Sequence, residues 1–251
     1  MDVLPQESLE TIRRAKSIIF LTGAGISNES GIPTFRGEGG LWKNFRAEDL
    51  ATPGAFQKNP ELVWEWYDWR RNICKNAKPN PGHLTIANWQ KKSNSVSLIT
   101  QNVDGLHPRA GSESIIELHG NIFRVRCTNC SAKFHLEQVG LDHPGLKFCK
   151  HCESLLRPDI VWFGEEYDQT LLTKSWELCK QSQIVFVIGT SANVSVPAQL
   201  ALTAIRNGAL GIEINPAETN LTTSMKHHFG GKSGEVLPKI WNEVFPNEPL
   251  D

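Results

Sequence analysis

Four of the six cysteines fall in two short pairs, Cys127-Thr128-Asn129-Cys130 and Cys149-Lys150-His151-Cys152, with 18 residues (131–148) between them. Each C-x-x-C lets two thiolates reach one ion from a tight knuckle, and two knuckles complete a tetrahedral site. Four thiolates leave no open position, so a zinc ion held there would be structural rather than catalytic. A pair of disulfides is the competing assignment; it suits an exported chain, and nothing in the sequence points to export. His135, His143 and His151 lie nearby and read as solvated side chains. Cys74 and Cys179 stand alone in helix-like segments, where cysteine serves as a buried filler.

Three further groups could do chemistry. Gly23-Ala24-Gly25-Ile26-Ser27 follows an apolar run, and such a turn can aim backbone N–H groups at a pyrophosphate. The next glycine comes only at Gly31, off the usual G-x-G-x-x-G spacing, so the turn alone leaves open a dinucleotide cradle or an ordinary tight turn. His119 stands between the apolar run Ile115–Leu118 and Gly120, a place for packing or for proton transfer; an unperturbed imidazole pKa of about 6.5 suits the latter. Tyr67 and Arg70 are three apart on a predicted helix and so share a face. A phenol beside a guanidinium fork suits a carboxylate, but a solvated face on a helix rich in Trp64, Trp66 and Trp69 has the same spacing.

The elements that must position these groups follow from periodicity. Short apolar runs at 17–22, 96–100, 184–188 and 210–214 each stop at glycine or small polar residues, as buried strands do. Helices are expected over Glu7–Lys16, Glu61–Asn76, Gly82–Lys92, Asp168–Lys180 and Pro197–Asn207. Strands alternating with helices give an α/β, doubly wound, mostly parallel Rossmann-like sheet, whose ligands bind outside the strands' carboxyl ends. The cysteine-rich stretch breaks the rhythm, so residues 1–123 and 158–251 are expected to form the Rossmann-like domain and 124–157 a small zinc-binding insert.

Composition narrows the class. Hydrophobic residues make up 39% and charged residues 21%, enough for a packed core. A formal net charge of -1 removes the simplest argument for nucleic acid. No apolar run reaches the roughly 20 residues of a membrane span, and MDVLPQESLETIRRAK lacks the features of a signal or transit peptide. A cytoplasmic monomer without nucleic-acid or membrane partners is expected.

Longer strings are more specific. Residues 23–37 read GAGISNESGIPTFRG, followed in order by Gln101-Asn102-Val103-Asp104, Leu118-His119-Gly120, the two C-x-x-C pairs, Phe163-Gly164-Glu165, Gly189-Thr190-Ser191 and Glu213-Ile214-Asn215. Together these resemble the sirtuin signature over roughly residues 14 to 245. The resemblance implies an NAD-dependent protein-lysine deacylase yielding nicotinamide and O-acyl-ADP-ribose. It implies that Gly23, Ala24, Gly25 and Ile26 hold the pyrophosphate, and that Phe35 and Arg36 close over the nicotinamide ribose. Gln101, Asn102, Val103 and Asp104 would line the ribose and nicotinamide pocket. Gly189, Thr190, Ser191, Asn215 and Ser233 would hold the adenosine half. His119 becomes the general base, and Val161, Phe163 and Gly164 belong to the acyl-lysine site.

Tyr67-x-x-Arg70 resembles the motif of the sirtuins that remove succinyl, malonyl and glutaryl groups, and Ala51 matches their small residue, which leaves room for a longer chain. Acyl groups ending in a carboxylate are therefore expected as the better substrates, with acetyl weaker. A plain deacetylase, or an ADP-ribosyltransferase using the same NAD site, are the alternatives. One departure stands out: in GTSANVSVP, Pro197 falls one residue later than in the family pattern, so contacts after Ser191 are expected to differ.

Overall fold

A computed structural model of the chain describes residues 4–34, 41–93, 95–139 and 144–250. In chain order the strands are β1 (Ile18–Thr22), β2 (Leu41–Trp42), β3 (Phe45–Arg46), β4 (Val96–Thr100), β5 (Ile115–Glu117), β6 (Gly120–Cys127), β7 (Lys133–His135), β8 (Leu156–Ile160), β9 (Ile184–Ile188), β10 (Leu210–Ile214) and β11 (His227–Phe229). The α-helices are α1 (Gln6–Arg14), α2 (Ala24–Asn28), α3 (Ala47–Leu50), α4 (Pro53–Lys58), α5 (Pro60–Asn76), α6 (Pro81–Lys92), α7 (Leu106–Arg109), α8 (Gln169–Gln181), α9 (Ser195–Arg206) and α10 (Ser233–Val244).

Six strands form one parallel sheet in the order β11-β10-β9-β1-β4-β5. The chain starts in the middle, builds outward through β4 and β5, then returns to the other side of β1 with β9. The strand order therefore reverses between β1 and β9, and a doubly wound sheet binds its ligands at such a switch point. All five residues of β1 are buried because both faces are covered. The side-chain period of two sends Ile18 and Phe20 to one face, and Ile19 and Leu21 to the other. On the first face Phe20 stacks on Phe186 at 4.8 Å, and Trp89 of α6 meets Trp241 of α10 edge-on at 5.4 Å. On the second, Ile19, Leu21, Val185 and Val187 pack beneath Leu200, Ala201 and Ala204 of α9.

A third apolar cluster lies away from the main sheet, where α5 packs Trp64, Trp66 and Tyr67 against Ile122, Val125, Leu156 and Trp162. Here β7-β6-β8 form an antiparallel sheet. Strand β6 runs unbroken from Gly120 to Cys127, so this sheet grows directly out of the residue after His119. Side chains cap two helix starts: the Asn59 side chain accepts from Leu62 N ahead of Pro60, and Asp168 accepts from Thr170 N and Leu171 N.

Expected and observed boundaries of the four central strands and five long helices agree within one or two residues. The edge strands β5 and β11, three residues each, and the short helices were not expected. Helix α10 was also missed, since it follows Gly230-Gly231 and holds Pro238 in its interior; its packing on α6 outweighs those local signals.

A close backbone approach lies at the switch point. Gly25 N donates to Gly189 O at 2.7 Å, and Gly23 N to Ile188 O at 2.9 Å. A Cβ on Gly25 would sit 2.7 Å from Gly189 Cα, while Gly189 itself has φ +58. Gly25→Ala is therefore expected to cost about 1–3 kcal/mol through overpacking. At about 2–4 °C per kcal/mol for a chain of this size, thermal unfolding should show a drop of several degrees. Gly54→Ala, at a helical glycine with nothing within 4 Å of its Cβ, should leave the melting temperature unchanged or slightly raised.

Candidate functional site

One cavity of about 440 Å³ opens at the carboxyl edge of the parallel sheet. Gly23, Ala24, Gly25, Gln101, Asn102, Val103, Gly189, Thr190, Ser191 and Asn215 line it where the central strands end. His119 lies two residues beyond β5. Ala51, Tyr67, Arg70, Val161, Phe163 and Gly164 come from the α5 side and line the same space. Seventeen residues distributed over the whole sequence thus line one cavity.

The remaining expected residues lie elsewhere. Ile26 is buried, with its amide donating to Gly23 O. Asp104 sits among buried polar groups and does not line the cavity; its carboxylate accepts from Ser27 Oγ at 2.7 Å and Leu106 N at 2.9 Å. Burial raises the Asp104 pKa, while those two hydrogen bonds and the Arg70 charge pull it back. Ser233 is buried and donates to Glu29 Oε1 at 2.6 Å, and it does not line the cavity either. Phe35 and Arg36 lie outside the described residues.

A hydrogen-bonded frame holds the strand ends. Asn102 Nδ2 donates to Gly23 O at 3.0 Å and to Ser27 Oγ at 3.1 Å, tying β4 to the glycine turn. Gln101 Nε2 donates to Thr190 Oγ1 at 3.1 Å, tying β4 to β9. Beneath them Thr22 Oγ1 donates to Thr100 Oγ1 at 2.8 Å and meets His107 Nε2 at 3.0 Å. Burial pushes the neighbouring His83 down to about 4, so it remains uncharged at neutral pH.

The His119 ring is half of a defined pair. Its Nδ1 lies 2.9 Å from the Gln101 carbonyl, which only accepts, so Nδ1 carries the hydrogen and Nε2 keeps its lone pair. Burial lowers the His119 pKa below 6.5, with the Gln101 hydrogen bond opposing. A neutral ring in a cavity lining whose Nε2 carries a lone pair can accept a proton.

The opposite wall is carried by a short loop. Val161 N donates to His119 O at 3.0 Å and Phe163 N to Ala51 O at 2.9 Å. Glu165 anchors it, accepting from Trp162 N, Arg126 and Arg157, and the Arg157 guanidinium lies over the Trp162 ring at 3.2 Å. Trp162 Nε1 donates to Tyr67 Oη at 2.8 Å, and Arg70 lies over the Trp66 ring at 5.4 Å. Tyr67 is 2% and Arg70 9% exposed, so neither is on a solvated helix face. Trp162, Glu165, Tyr167, Glu48, Thr34, Ile160 and Val194 also line the cavity and were missed. Trp162 and Glu165 adjoin a motif that was noticed; Tyr167 and Glu48 carried no local signal. After Ser191, Ala192 adopts φ +56 and Val194 reaches the cavity before α9 begins, with Pro197 in its first turn.

The four cysteine sulfurs of the two C-x-x-C pairs lie within 4.8 Å of one another. Cys127 and Cys152 approach to 3.5 Å and Cys130 and Cys149 to 3.6 Å, far beyond a disulfide bond of about 2.05 Å. Thiolates about 2.3 Å from a tetrahedral zinc would stand about 3.8 Å apart, so the four sulfurs fit that ion. Backbone N–H groups of Asn129, Cys130 and His151 point at Cys127 and Cys149 sulfur, as in metal knuckles. Elemental analysis should find one zinc per chain. Cys149→Ser should lose stoichiometric metal and unfold at lower temperature, since structural zinc contributes on the order of 10 kcal/mol in isolated fingers. Disulfides at Cys127 and Cys130 in freshly purified, metal-free protein would contradict the assignment.

Comparison with known proteins gives a single answer. The Sir2 family model matches residues 23–196. The chain is 50% identical over 232 residues to an NAD-dependent protein deacylase of Leptospira interrogans, covering 92% of this chain and 94% of that protein. It is 46% identical over 242 residues to one of Pyrococcus furiosus, covering 95% and 97%. A crystal structure of a Sir2 homolog–NAD complex superposes with a TM-score of 0.90 at 44% identity, covering 97% of this chain and 94% of that one. A Sir2–p53 peptide–NAD complex follows at 0.84 and 32%, covering 95% and 97%. A parallel sheet with its glycine turns at the switch point, a cavity histidine and a four-cysteine cluster are thus found in one chain, and that chain belongs to the Sir2 family, the sirtuins.

Proposed function

We propose that this chain is an NAD-dependent protein-lysine deacylase that works best on acyl groups ending in a carboxylate, succinyl, malonyl and glutaryl, with acetyl turned over more weakly. The observation that carries the reading is one cavity lined by the strand-end glycines, by a deeply buried arginine and by His119. The names of its relatives supply the reaction class.

Gly23, Ala24, Gly25, Ile26, Gly189, Thr190, Ser191, Asn215 and Ser233 would hold the adenosine and pyrophosphate half of NAD, and Phe35, Arg36, Gln101, Asn102, Val103 and Asp104 its nicotinamide ribose. When bound, NAD supplies an electrophilic ribose carbon with nicotinamide as the leaving group. Gln101 holds the His119 tautomer through Nδ1–H, leaving Nε2 to take a hydroxyl proton. Val161, Phe163 and Gly164 flank the acyl-lysine.

The acyl end combines a small residue with a donor pair. Ala51 leaves space where a larger side chain would fill it. Tyr67 oxygen accepts from Trp162, so its own proton is left to donate. Burial raises the Tyr67 pKa and keeps the phenol protonated; burial also lowers that of Arg70, which still carries its charge at neutral pH. A ligand carboxylate would offset the desolvation of that guanidinium in a way that an acetyl methyl cannot.

Two outcomes are expected. Because His119 must be neutral to act and its pKa is below the ordinary value, kcat/KM should be flat around pH 7 and fall on an acidic limb centred below 6.5. A limb centred above 7 would assign the base to another group. Mass spectrometry of peptides incubated with NAD should show faster loss of succinyl than of acetyl. Arg70→Met should reduce succinyl turnover roughly 10- to 100-fold and change acetyl turnover little. Equal losses on both substrates, or a wild-type preference for acetyl, would remove Arg70 from acyl recognition.

A further inference from the structure

Both tyrosines of the chain line the cavity. Tyr67 belongs to the acyl end, whereas the hydroxyl of Tyr167 lies 3.1 Å from Nε2 of His119, with ring centroids 5.5 Å apart and planes inclined by 40°. Since Nδ1 is committed as a donor to Gln101 O, Nε2 of the neutral ring accepts and the Tyr167 hydroxyl donates. That nitrogen has one lone pair in the ring plane, so it cannot accept from Tyr167 and remove a substrate proton at the same moment. Among the described residues no carboxylate or cation lies within hydrogen-bond or ion-pair distance of the ring; Gln101 and Tyr167 are its polar neighbours.

The phenol is well placed to yield. Its stem packs, half-buried, against the apolar cluster of α8 and α9, and its backbone precedes Asp168, the cap of α8. A small rotation of the ring would therefore move the hydroxyl off Nε2 without disturbing the helix.

We propose that Tyr167 is a positioning residue for His119: its hydroxyl holds Nε2 toward the cavity in the free enzyme, and gives up that nitrogen to a substrate hydroxyl when the cavity fills. This rests on the reading of His119 as the base. When the substrate O–H breaks and Nε2–H forms, the proton stays on the imidazolium, and the phenol oxygen turns to accept from it. That second hydrogen bond is charge-assisted and stronger than the first, so Tyr167 favours proton uptake by His119 overall.

Tyr167→Phe keeps the ring and its packing while deleting the hydroxyl. The expected result is a kcat reduced roughly 3- to 10-fold. KM for NAD and for acyl-peptide should not rise, and the acidic limb of kcat/KM should move down by roughly half a pH unit. In protein labelled with fluorotyrosine, two ¹⁹F resonances are expected; the one absent from Tyr167→Phe should shift as His119 titrates and on adding ADP-ribose. Its pH dependence should vanish in His119→Asn. An unchanged kcat and acidic limb would overturn the inference. So would a raised KM with a lowered melting temperature and an unmoved limb, the pattern of a packing residue, and either result leaves His119 as the base. Normal turnover by His119→Asn would instead overturn the reading of His119 as the base, on which the inference rests.

Discussion

The contact between the two glycine turns at the switch point sets what the rest of the molecule can be. With Gly25 N bonded to Gly189 O at 2.7 Å, the carboxyl ends of β1 and β9 close to a separation that no side chain fits. The cavity floor is consequently bare backbone, suited to a polyanion that needs close approach and N–H donors. Gln101 and Asn102 then reach across to Thr190 and Gly23, so the neighbouring strand is tied to the same two turns.

A second constraint joins the cysteine cluster to His119. Strands β6 and β8 form one antiparallel ladder, with Cys127 opposite Leu156 at one end and Gly120 opposite Ile160 at the other. Gly120 has φ +83, and a Cβ there would lie 2.0 Å from Asp159 O, so the ladder closes tightly just beside His119. Val161 N bonds His119 O directly past that closure. A metal clip at the cysteine end, roughly 20 Å away along the strand, would fix the ladder that positions both His119 and the loop through Val161 and Phe163. The zinc can thus be indispensable to the fold without entering the chemistry.

The two ends of the cavity differ in kind. The glycine end is backbone and small polar groups above a buried layer of Ser27, His83, Asn102, Asp104 and His107. The other end is aromatic, with Tyr67, Trp162 and Phe163 in the lining together with the buried Arg70. The Arg157–Glu165 pair and the stacking of Arg157 on Trp162 brace that wall.

Much was legible in the chain because it was local. Short apolar runs ending at glycine or small polar residues marked the central strands, and the C-x-x-C spacing marked a four-thiolate site, each through interactions within a few residues. The family motifs added which of these segments would share a cavity. The edge strands β5 and β11 were not legible, since three-residue strands exist only through pairing with a neighbour distant in sequence. The surroundings of Tyr67 and Arg70 were likewise undecided, because the same i, i+3 spacing describes a solvated face and a buried one; long-range packing decided it, with Tyr67 held by Trp162, 95 residues away in the chain. Ser233 and Asp104 show the reverse: the family resemblance implied both as cofactor contacts, but Glu29 and Ser27 hold their side chains in the frame, away from the cavity wall. Tyr167 had no local signal at all, for its place on His119 is made by two loops, 48 residues apart, meeting at the edge of the sheet. Sequence determines which residues are available to the chemistry; long-range packing decides which of them face one another.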